Sequence, residues 1–178
     1  FGGYLSDRYL GQRRSAMIGA IIMALGHFVM AFNFLWCFYS ALALVAIGNG
    51  FFKPSLTSIL GQMYDDADES QRDSAYSLFY MGINIGATLA GIVAGWLHQN
   101  IGFDAAFASA GVGMLIGTYI FWRGKDRYLG DAGKEPQGKK VAEEHTPLTT
   151  EERSKLWAVA FIFVLTIGFI IAMEQVGG

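Results

Sequence analysis

The chain has 178 residues and a formal net charge of −2; 53% of its residues are hydrophobic, 15% aromatic and only 16% charged. One cysteine, Cys37, rules out an intrachain disulfide, and no spacing of Cys, His and carboxylates offers a metal site. Because the apolar residues arrive in membrane-length blocks, the chain reads as a membrane protein, and its net charge says little about partners.

Five such blocks lie at about 15–34, 34–62, 75–97, 105–122 and 156–173, each near the roughly 20 residues a helix needs to cross about 30 Å of hydrocarbon. Before the first comes the polar stretch Gly2-Gly-Tyr-Leu-Ser-Asp-Arg-Tyr-Leu-Gly-Gln-Arg-Arg. Its glycines permit a tight turn, and Asp7 suits a helix cap or an arginine partner, so this loop can lock in one arrangement and release in another. His27, midway along the first block, reads as a packing residue that is also able to titrate.

The second block carries Lys53, flanked by Gly48, Gly50 and Pro54. Proline removes a backbone hydrogen bond, so Pro54 reads equally as a hinge and as an ordinary kink. In the third block Tyr76, Tyr80 and Asn84 recur every four residues and share one helical face. Asn84 alone reads equally as a helix–helix hydrogen bond and as a cavity-lining group. Gly82-x3-Gly86, Gly91-x3-Gly95 and Gly113-x3-Gly117 allow close helix approach. Residues 123–155, with Pro136, Pro147 and mixed charge, read as a linker. Thr149 or Thr150 is placed to cap a short amphipathic helix leading into the fifth block. Glu174 closes that block; a carboxylate in apolar surroundings exchanges a proton near neutral pH unless a cation pairs with it. An outer-interface glutamate is an equal reading. Both chain ends look cut from something longer.

Of the 13 Lys and Arg, Lys53 alone lies inside an apolar block. The other twelve fall before the first block, between the second and third, or between the fourth and fifth. The positive-inside rule therefore puts residues 1–14, 63–74 and 123–155 in the cytoplasm of a multi-pass inner (plasma) membrane protein. Counted from that side at 1.5 Å per residue, Lys53 lies about 16 Å deep and Asn84 about 15 Å. A mid-bilayer cation persists mainly where it faces a cavity or partner, and transporters bind substrate at that depth.

Gly3-Tyr-Leu-Ser-Asp-Arg-x-x-Gly-x-Arg-Arg resembles the loop between helices two and three of the major facilitator superfamily. Gly48-Asn-Gly-Phe-Phe-Lys-Pro-Ser, Phe79-Tyr-Met-Gly-Ile-Asn-Ile-Gly, Arg127-Tyr-Leu-Gly-Asp-Ala-Gly-x-x-Pro and Glu174-Gln-x-Gly-Gly are similar to signatures of the proton-dependent oligopeptide transporter family. The resemblance implies an all-α partial major facilitator fold, its five spans matching helices three to seven of a twelve-helix core. Residues 1–122 would then belong to the N-terminal six-helix bundle, 123–155 to the inter-bundle linker and 156–178 to helix seven.

It further implies a proton-coupled symporter of di- and tripeptides working by alternating access, with no cofactor and no nucleic-acid partner. Lys53, Asn84 and, with less support, Tyr80 would bind substrate; Glu174 and Lys53 would couple protons. Gly3, Asp7, Arg8, Gly11, Arg13 and Arg14 would form the conformational-switch loop, and Pro54 a hinge. The lipid bilayer and the remaining helices of the same polypeptide are the expected partners, so the chain alone should not transport. Rival readings keep the fold with another cargo, such as nitrate or drugs, or make the chain a non-transporting receptor or scaffold. An enzyme is least expected, since no nucleophile–base pair appears.

Overall fold

A computed structural model describes residues 2–32, 34–136 and 150–177, with side chains of the last helix described from 153 to 169. Every regular element is helical: α1 (Gly2–Leu5), a π turn (Ser6–Leu10), α2 (Gln12–Met30), α3 (Leu35–Met63), α4 (Glu69–Asn100), α5 (Phe103–Tyr128) and α6 (Thr150–Gly177). The chain divides into two compact units, Phe1–Lys140 and Val141–Gly178. Among the described residues, α2, α3, α4 and α5 are long and apolar enough to cross a membrane. At about 1.5 Å per residue, the 28 residues of α6 are also long enough.

The helices overrun their apolar blocks. α4 begins at Glu69 and α5 runs on to Tyr128, so residues 123–128, assigned to a linker from sequence, are helical. Hydrophobicity marks only the length in hydrocarbon, whereas each further residue of an existing helix adds a hydrogen bond at little cost. Lys125 and Arg127 also suit the partial negative charge of the α5 C-terminus. Likewise α6 starts at Thr150, so the expected short lead-in helix and the fifth span form one continuous helix.

Helix α2 is the centre of the first unit, packed along α3 on one side and α5 on the other. Its seam with α3 is made of small residues. A Cβ on Gly19 would lie 2.6 Å from the Gly48 carbonyl oxygen, and one on Gly48 would lie 2.7 Å from that of Gly19. Ala16, Ala20, Ala24 and Ala41 are buried beside them. Small residues let two backbones meet where lipid supplies no hydrophobic drive. Against α5 the contact is Gly111, where an added Cβ would meet the Phe28 ring at 3.0 Å.

The six glycines expected to mediate close approach behave differently. A Cβ on Gly82, Gly86, Gly91, Gly95, Gly113 or Gly117 would meet nothing within 4 Å. A small-x3-small spacing permits contact but needs an opposing small surface, such as Gly19 and Gly48 supply to each other. Outside the seam the bundle is apolar on its surface, with Leu89, Ile92, Trp96, Leu115 and Ile120 all exposed.

Candidate functional site

The polar residues gather at two places: the end of the unit that carries the arginines, and the face of α3 toward α4. At the charged end, α1 and the π turn lie against the middle of α3. Pro54 has no N–H to offer the Gly50 carbonyl, and a Cβ on Gly2 would overlap that same oxygen. Glycine at position 2 therefore lets the N-terminal backbone close over the gap. Ser6 Oγ donates to the Gly2 carbonyl at 2.8 Å, and Ser55 Oγ donates to Ser6 Oγ at 3.3 Å. Both serines are fully buried. α3 continues as a helix through Pro54, with Thr57 Oγ1 donating to the Lys53 carbonyl at 2.7 Å.

The stretch read as a loop is mostly helix. Gly11 N donates to the Ser6 carbonyl at 2.9 Å, closing the π turn, and the chain reverses at Gly11, whose φ of 76° favours glycine. Arg13 and Arg14 belong to the first turn of α2. Asp7 neither caps that helix nor pairs with an arginine; it accepts a hydrogen bond from Gln12 Nε2. Arg8 is exposed, with Nη1 donating to the Tyr4 hydroxyl and its guanidinium 5.7 Å from the Tyr4 ring and 5.8 Å from the Tyr9 ring. That hydrogen bond raises the Arg8 pKa above its ordinary value. Arg14 is exposed too.

Arg13 is buried, at 5% exposure. Its Nε donates to the Ala132 carbonyl at 2.7 Å, Nη2 to the Gly130 carbonyl at 2.8 Å, and Nη1 lies 3.4 Å from Asp126 Oδ1. These partners are more than a hundred residues away in sequence, and sequence reasoning missed them. The only signal was Gly130 and Gly133 just beyond a helix end, both of which take positive φ.

Lys53 is the opposite case. The buried residues of α3 are Ala41 and Gly48, which meet α2, Ser55, which meets Ser6, and Ile59, beside Gly133. At about 100° per residue Lys53 lies roughly 140° round from Gly48, on the far side of α3, and within about 40° of Thr57. That is the side α4 approaches: the Tyr76 hydroxyl donates to the Thr57 carbonyl at 3.5 Å. Counting antiparallel from this contact puts Lys53 about level with Tyr80, and Asn84 about one turn, roughly 6 Å, further from the charged end. Lys53, Tyr80 and Asn84 are all exposed, and Lys53 Nζ has no hydrogen bond or ion pair among the described residues. An ammonium with three donors, with a phenol and an amide at similar depth on the neighbouring helix, is suited to hold a carboxylate. The α6 helix includes position 174, but the Glu174 side chain lies outside the described residues.

Antiparallel apolar helices with an apolar surface, and one lysine set among them, define a multi-pass α-helical membrane protein. A profile of the POT family matches residues 13–145, and the chain belongs to that family. It is 31% identical over 173 residues to the di-/tripeptide transporter of Lactococcus lactis, which covers 97% of this chain and 32% of that protein. It is 33% identical to the peptide transporter YePEPT of Yersinia enterocolitica, covering 99% of this chain and 34% of the other. Among solved structures, peptide transporter POT in complex with sulfate superposes with a TM-score of 0.72 at 34% identity, over 96% of this chain and 33% of that one. A POT family transporter in complex with 5-aminolevulinic acid gives the same TM-score at 26% identity, over 97% and 34%. The chain thus spans about a third of the length of the relatives it matches, and its fold is the corresponding third of theirs.

Proposed function

We propose that this chain is the part of a proton-coupled symporter for di- and tripeptides that receives the peptide carboxylate, the whole protein working by alternating access. One observation carries the reading. Lys53 sits within an apolar span on the α4 side of α3, about level with Tyr80 and unpaired among the described residues, in a chain related to proteins named as di-/tripeptide transporters. A peptide with free ends needs a cation at one end and acceptors at the other. Lys53 is the cation, with Tyr80 and Asn84 as neutral hydrogen-bonding neighbours along one face.

Proton coupling falls to Glu174 together with Lys53, because a carboxylate and an ammonium in apolar surroundings each gain or lose a proton as their partners change. Gly3, Asp7, Arg8, Gly11, Arg13 and Arg14 form the conformational-switch loop, and Pro54 serves as a hinge. Residues 1–128 belong to the first bundle and the helix from Thr150 to the second, the linker expected over 123–155 being confined to the stretch between those helices. The protein resides in the inner (plasma) membrane with 63–74, 123–155 and the charged end of 1–14 cytoplasmic and α1 within the span beside Gly50 and Pro54. It is driven by the proton gradient without a resident cofactor, and needs the other helices of its own polypeptide.

The test is uptake of labelled dialanine by the full-length protein in proteoliposomes under an inward proton gradient. Lys53→Ala is expected to abolish gradient-driven uptake; a wild-type rate would remove Lys53 from the mechanism. Glu174→Gln is expected to cut gradient-driven uptake at least tenfold while sparing peptide counterflow, and equal loss of both would refute a coupling role. A wider cargo range has its own support, since a related transporter structure holds 5-aminolevulinic acid. Competition by that compound against dialanine distinguishes the two.

A further inference from the structure

We propose that Leu129–Lys134 is a permanent clasp that binds Arg13 and holds the charged ends of α2, α3 and α5 as one rigid piece. The connection to the rest of the protein would then begin at Glu135 rather than at the end of α5. This deepens the switch-loop reading above and rests on it for its role in transport, though not for its contacts.

Each of the three helices contributes one side chain. From α2, Arg13 grips the Ala132 and Gly130 carbonyls at 2.7 and 2.8 Å. From α3, Gln62 Oε1 accepts from Gly133 N at 2.7 Å. From α5, Asp126 lies 3.4 Å from Arg13 Nη1. The backbone joins in, with Arg13 N donating to the Gly133 carbonyl at 3.0 Å.

The segment is shaped for this fit. Ala132 N donates to Leu129 O at 3.0 Å and Lys134 N to Asp131 O at 3.2 Å, so two successive turns present the carbonyls on one side. Gly130 at φ 54° and Gly133 at φ 72° take conformations that favour glycine. At Gly133 there is no room for a side chain either: a Cβ would meet Ile59 Cγ1 at 2.8 Å, Gln12 Cβ at 3.2 Å and Arg13 Cγ at 3.3 Å. A Cβ on Gly11 would meet the Lys134 carbonyl oxygen at 2.8 Å.

A buried guanidinium whose donors point at fixed carbonyls is poorly suited to a contact that breaks in every cycle, because release leaves a charge and two carbonyls unsatisfied. Within the switch loop the labour therefore divides. Arg13 and Gly11 are fixed structure, while Arg8 and Arg14, both exposed, remain free for contacts that form and break.

Hydrogen–deuterium exchange on the full-length protein in nanodiscs tests this, with and without saturating dialanine. Amides of 132–134 are expected to exchange slowly under both conditions. Arg13→Lys, which offers a point charge in place of a fork, and Gly133→Ala are each expected to speed that exchange at least tenfold, while Glu135→Gln leaves it unchanged. Tenfold faster exchange on adding dialanine to the wild type would make the segment a releasing latch and overturn the proposal, as would unchanged exchange in both Arg13→Lys and Gly133→Ala. If dialanine alters exchange nowhere in the protein, the peptide reading fails while the clasp still stands or falls on the two variants.

Discussion

Arg13 and Lys53 are both cations in a chain that is mostly apolar, and they are treated in opposite ways. Arg13 is buried, with two backbone carbonyls and a carboxylate around it, all supplied by the same unit. Lys53 is exposed on α3 and has no partner among the described residues. Desolvating a charge is costly unless its hydrogen-bonding capacity is met. A cation whose partners are built in serves the fold; Lys53 is left open to a substrate or to the other helices of the polypeptide.

That contrast is breakable by substitution. The largest expected effect separates folding from transport: Lys53→Ala should abolish uptake yet leave the thermal midpoint of the full-length protein unchanged or raised. A midpoint lowered by more than about 5 °C would make Lys53 a structural residue like Arg13. Next comes the seam between α2 and α3, the helices to which these cations belong. Gly48→Leu forces a side chain against Met23 and the Gly19 carbonyl, and should cost at least the roughly 1–3 kcal/mol typical of overpacking. Denaturant unfolding measures it, and Gly50→Ala, which meets nothing within 4 Å, is the control.

The smallest effect belongs to Asp131, fully exposed on the outer side of the clasp. Lys134 Nζ donates to it at 2.7 Å, which lowers its pKa from the ordinary 3.8. A depressed carboxylate stabilises the fold above its ordinary pKa and loses that contribution as the pH falls through the lowered value. Asp131→Asn should therefore lower the midpoint slightly at pH 7, the difference shrinking as the pH drops below 3.8. Because the pair is solvated, a large effect at pH 7 would mean that the clasp leans on this pair more than on Arg13.

The membrane-crossing helices were legible because hydrocarbon thickness imposes a length that composition must meet, and Lys53 was legible because a charge stands out against that background. Helix ends were not, since residues 123–128 are mostly charged and still helical. The glycine pairs on α4 and α5 meet no opposing helix among the described residues, because spacing within one helix says nothing about what faces it. Arg13 looked like any other basic loop residue. Its partners, Gly130 and Ala132, come after three further helices, and no local pattern carries a contact of that sequence separation. Tyr80 and Asn84 were found from four-residue periodicity, while their level relative to Lys53 needed the Tyr76–Thr57 contact.

The glycine at position 2 works as a bearing. It rides on the one carbonyl of α3 that Pro54 leaves without a helical donor, and Ser6 and Ser55 tie the two surfaces a turn away. An alanine at position 2 would press its methyl onto that carbonyl, so the N-terminal backbone would have to lift away from α3 and part Ser6 from Ser55.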